Sequence, residues 1–145
     1  MKTTFTAALA AAAIFCAASP AFAGADLVPA FDTATGTVTV KNVGDAPASI
    51  SVVTIGCKPR TRGAQCPDPA PAAAAPYELP AFPNVAAVQV PVLAPGAKYS
   101  HTLGFFAGLA FGPGAYAFTV TADAGNSVPE SNEGNNVKVA TKTVP

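Results

Sequence analysis

The side chains best suited to chemistry crowd into one polar stretch, Asp123 to Asn136. There the carboxylates of Asp123, Glu130 and Glu133, with the side-chain carbonyl of Asn126, offer the hard oxygen ligands that calcium prefers. Calcium is the one cofactor the sequence suggests. The same residue types also bond to backbone amides one or two positions on and tolerate left-handed backbone, so the stretch equally reads as an irregular turn held by its own side chains. Little else points to catalysis. The single histidine, His101, has no second imidazole beside which to build a metal site or a nucleophile-base pair, and no glycine loop opens a helix that could cradle a phosphate. A non-enzyme is expected.

The cysteines follow from the start of the chain. Lys2 precedes an apolar run from Phe5 to Ala18, and Ala21-Phe22-Ala23 then places small residues three and one positions before Gly24. That is the form of a secretory signal, residues 1–23, cut after Ala23. Cys16 raises the alternative of a lipoprotein anchor, but Phe15 before it is bulkier than lipoprotein processing favours. Export of residues 24–145 to the periplasm or beyond leaves Cys57 and Cys66, an even pair in an oxidising compartment. A disulfide closing ring 57–66 is expected, worth about 2.5 to 3 kcal/mol by loop entropy. A metal site would want more thiols or imidazoles, and a redox pair closer spacing.

Charge narrows the partners. Loss of Lys2 leaves seven of the eight basic residues against eight acidic ones, so no basic face is available for nucleic acid. No later apolar segment is long enough for a membrane helix.

The elements that must position these residues are strands. Composition favours an all-β fold, with abundant Thr and Val and frequent Pro and Gly. Asp26–Phe31 suits a short first strand bent by Pro29, and Gly36–Gly44 alternates Val38 and Val40 with Thr and Lys. A turn over Asn42–Pro47 should fold Ala48–Ile55 back onto that strand as a hairpin, with Ile50 and Val52 on one face and Val53 and Ile55 on the other. From Gly56 to Ala87 the alternation stops. Seven prolines between Pro59 and Pro83 argue there for an extended loop without helix or ladder. Alternation resumes with Val88, Val90 and Val92, turns at Leu93–Ala97, and continues in Lys98–Phe105. Tyr116, Phe118, Val120 and Ala122 then face one way, and Val137, Val139 and Thr141 are expected to repeat that face across a hairpin whose turn is the polar stretch.

The order of these pieces carries a resemblance. Asn42-Val43-Gly44-Asp45-Ala46-Pro47 after one strand, Leu93–Ala97 before another, Gly114-Ala115-Tyr116 opening a third, and Asp123 leading to Glu130-Ser131-Asn132-Glu133-Gly134-Asn135-Asn136 before the last resemble the CARDB family, the cell-adhesion-related domain of bacteria. The resemblance runs from about Asp26 to Val144. It implies an immunoglobulin-like seven-stranded β-sandwich, here with a Pro/Ala-rich insertion loop over 56–87. Gly114-x-Tyr116 is also similar to the tyrosine corner of sandwich domains.

The function expected is an exported binding or adhesion module that contacts a protein or a surface polysaccharide. Sheet edges and the apolar loop with Phe105, Phe106, Leu109 and Phe111 are candidate contacts, though that loop could instead cap the core. Lys58, Arg60 and Arg62 on the stapled ring are another. The alternatives are a calcium-stabilised structural domain and an accessory subunit of a periplasmic or surface assembly.

Overall fold

A computed structural model describes residues 23–145. Seven strands form two antiparallel sheets: β1 (Leu27–Asp32), β2 (Thr37–Asn42), β3 (Ser51–Pro59), β4 (Ala86–Val90), β5 (Lys98–Thr102), β6 (Gly114–Thr121) and β7 (Val137–Val144). One sheet has the order β1-β2-β5 and the other β4-β3-β6-β7. The signal-peptide reading falls almost wholly on residues outside the described chain.

The core between the sheets is made by the alternation that marks the strands. Leu27, Val38, Val40, Val53, Val90 and Val120 are all fully buried. Each comes from a period-two stretch, so one face of every strand is apolar and the two sheets must meet to cover it. Tyr116, buried at the start of β6, donates its hydroxyl to the Gly112 carbonyl at 2.8 Å, as in a tyrosine corner. In the turn before β5, Ala97 N–H donates to the Ala94 carbonyl and Gly96 takes φ 77°, the left-handed position that a type II turn with Pro95 before it needs.

Three expectations are corrected. β2 and β3 do not form a hairpin, because β2 pairs with β1 and β5 while β3 pairs with β4 and β6. Asn42, fully buried, explains the crossing: its Nδ2 donates to the carbonyls of Ala46 and Leu93, and Ala48 then bridges Leu93. The amide ties the outgoing chain to the other sheet.

The second correction is the phase of β7. Phe118 is in register with Ala140 and Tyr116 with Lys142, so Ala140, Lys142 and Val144 face inward while Val137 and Val139 are 51% and 53% exposed. Lys142 is tolerated inside because its ammonium sits over the rings of Phe106 and Phe111 and donates to the Thr33 carbonyl. Valine at alternate positions looked like a core face, but the neighbouring strand decides which set turns in.

The third concerns 56–87. β3 runs on to Pro59 beside β6, and α1 (Pro71–Ala74) continues into a 3₁₀ turn over Ala75–Tyr77. Pro71 stands in the first turn of α1, where its missing N–H costs nothing.

Candidate functional site

The polar stretch after β6 divides into two parts with different work. Asp123, 5% exposed, and Asn126 both take positive φ, 41° and 49°. Asp123 Oδ1 accepts from the N–H and hydroxyl of Ser127, and Oδ2 accepts from the buried N–H of Val128. Both carboxylate oxygens are therefore committed to the loop's own backbone. Asn126 is exposed.

Glu130 and Glu133 meet at Asn136. Asn136 Nδ2 donates at 3.0 Å to Glu130 Oε1 and at 3.0 Å to Glu133 Oε2. Glu130 Oε2 also accepts from the N–H of Leu27, and Glu133 Oε1 from the N–H of Glu130. Burial holds the Glu130 carboxyl above its ordinary value; the Leu27 and Asn136 donors oppose this, while the charges of Glu133 and Asp123 add to it. Further bonds run from Ser131 to the Ala25 carbonyl and from Asn135 to Asp26. The turn thus stitches the first residues of the fold to the last hairpin. Among the described residues, no three His, Cys, Asp or Glu side chains gather as a metal cluster. The side-chain oxygens of Asn135 and Asn136 are buried there without a donor.

The family profile that matches this chain is CARDB, over residues 82–140, from just before β4 through this polar turn and into β7. Residues 82–140 are thus similar to the CARDB family. The CARDB domain of a Pyrococcus furiosus protein, crystallised in complex with di-metal ions, is similar in fold, with a TM-score of 0.51 and 19% identity over 84% of this chain and 94% of that one. No curated protein matches.

The other expected contact residues lie at the opposite end of the sandwich. Cys57 and Cys66 form a disulfide. Lys58, at the end of β3, and Arg60 and Arg62 beyond it are exposed, and Arg60 N–H donates to the Ala115 carbonyl, which pins the ring to β6. In the apolar loop, Phe106 is 5% exposed and its ring lies 5.4 Å from that of Phe31 and 5.7 Å from that of Phe118. Phe105, Leu109 and Phe111 are half-buried against the same core. The sandwich is therefore capped at this end by its own loop.

Sequence reasoning passed over Tyr77. It is half-buried, its hydroxyl accepts from the N–H of Gly104 at 2.9 Å, and its ring meets Phe105 at 5.2 Å, so it fastens the insertion to the core. The available signal was a lone tyrosine in a Pro/Ala-rich run.

Proposed function

We propose that this domain is an exported, non-enzymatic adhesion module that grips a protein or a surface polysaccharide through strand surface. No helix among the described residues is long and apolar enough to cross a membrane. The family's adhesion-related character supports the reading, and β7 carries it. This eight-residue strand at the sheet edge turns Val137 and Val139 to solvent beside the exposed Thr119 and Thr141. An uncharged Val/Thr face costs little to desolvate, and a strand at a sheet edge can extend a partner's sheet.

The test is adhesion of beads carrying the oxidised domain to bacterial cells, with Val137→Lys/Val139→Lys as comparison. These side chains point outward, so the fold should persist while bead retention falls. Equal retention by the folded variant rules out this face.

A second reading has a cation at the polar turn. It is favoured by the orphaned oxygens of Asn135 and Asn136 and by the di-metal complex of the Pyrococcus furiosus domain. Glu130 and Glu133 supply hard oxygens, and turning the Asn136 amide over would bring its Oδ1 to where its Nδ2 now stands between them. Calcium should then raise the unfolding midpoint over that in chelator, and Glu133→Gln should remove the increment. A midpoint indifferent to calcium leaves the turn purely structural.

A further inference from the structure

The end of the sandwich away from the polar turn is built around an absent stretch of strand. β4 pairs with β3 only as far as Ile55, yet β3 continues to Pro59 with β6 alone beside it. The insertion folds across that gap without filling it, and a half-open cavity of about 760 Å³ remains between it and the sandwich. Ile55 and Phe118 form its floor, Leu103 and Phe105 a wall, and Ala74 and Tyr77 part of its roof.

A space this large would ordinarily close, because interiors pack to near-crystalline density. Here both supports of the roof are fixed. The disulfide holds one end to β3, and Tyr77 is bonded to the Gly104 N–H on the far side of the opening. Prolines on either side of α1 stiffen the span. The volume falls within the range of small-molecule sites and is far below what a folded partner occupies.

The lining carries charge of one sign only. Six aromatic rings border the cavity. No Lys, Arg or His does, and the only charged lining residues are Asp68 and Glu78, both exposed at the rim. A carboxylate or phosphate entering here would meet two negative charges and find no cation, so fatty acids and phospholipids are disfavoured. We infer that the cavity between the insertion and the sandwich binds an uncharged, apolar small molecule containing aromatic or fused rings, which stack edge-to-face with the phenylalanines. The insertion is then a ligand roof rather than a spacer, and this role is independent of adhesion through β7.

The test titrates the neutral dye N-phenyl-1-naphthylamine into the oxidised chain and follows its fluorescence. Saturable one-site binding is expected, displaced by uncharged naphthalene and not by oleate. Ala74→Trp fills the cavity from the roof without replacing a residue of either sheet, and should weaken dye binding about tenfold or more. Should that variant not fold, intermolecular NOEs in the wild-type protein between dye protons and the Leu103 and Leu109 methyls decide the location. Non-saturable fluorescence, binding unchanged in folded Ala74→Trp, or absence of those NOEs overturns the site. Displacement by oleate as effective as by naphthalene overturns the ligand class.

Discussion

Asp123 shows how one carboxylate can look like a ligand and act as a fastener. Its two oxygens take three donors, one of them the buried Val128 N–H, and its backbone is left-handed at φ 41°. Replacing it by Ala strands that N–H and removes the three bonds that hold the backbone in its left-handed conformation. Asp123→Ala should therefore cost about 2–4 kcal/mol in urea unfolding at unchanged m-value, with Asp123→Asn costing about half as much. Glu130 makes a different prediction. Its carboxyl is raised in the folded state, chiefly by burial, so the folded chain binds the proton more tightly than the unfolded one. Stability then falls as pH rises from the ordinary value of 4.5 through the raised one. Asp32 works in the opposite sense below its ordinary 3.8, because the Ala34 N–H and the Thr35 hydroxyl favour its ionised form. In unfolding midpoints measured across pH, Glu130→Gln should flatten the decline above 4.5 and leave the acid limb in place.

At the scale of elements, the loop that ends at Phe111 depends on a glycine. Gly36 has φ 73°, and a β-carbon there would lie 2.3 Å from the Phe106 ring. The β1–β2 turn and the aromatic cap are thus fitted to each other. Gly36→Ala should destabilise by about 3 kcal/mol or more. Adding Phe106→Leu should make the pair less harmful than the sum of the singles, a coupling that a double-mutant cycle measures. The strands were legible because each buries one face at period two, which their own residues announce. The face of β7 was not, since valine at alternate positions is compatible with either orientation and only the register with β6 selects one. Nor was the one-turn helix at Pro71, where proline was read as a breaker although the first turn accepts it.

Across the whole molecule, local signals named the pieces better than their neighbours. The β2–β3 turn contains the residues of a hairpin, yet Asn42 spends its amide on Leu93, far along the chain, and sends β3 to the other sheet. A contact between residues so distant in sequence leaves no local pattern. The polar turn was visible as residues but not as a tie, because its partners Ala25, Asp26 and Leu27 lie far away in sequence. The disulfide was legible from two cysteines and the expectation of export. Substituting both with Ser should lower stability by about 2.5 kcal/mol in chemical unfolding and leave the sheets intact by circular dichroism, since Cys57 is exposed and Cys66 only half-buried at the margin of the core.

The first described residues hold one more consequence. Gly24 N–H donates to Asp45 Oδ1 at 2.7 Å, and the Gly24 carbonyl accepts from Asp45 and Ala46, against the close backbone approach that Gly44 permits. A cut after Ala23, as the export reading holds, turns that amide into an ammonium, and an ordinary bond becomes a charge-assisted one. The precursor lacks this contact in its stronger form. Maturation would then work as a small ratchet: a chain that must stay loose to be translocated gains part of its grip only after the leader is gone, on the side of the membrane where it serves.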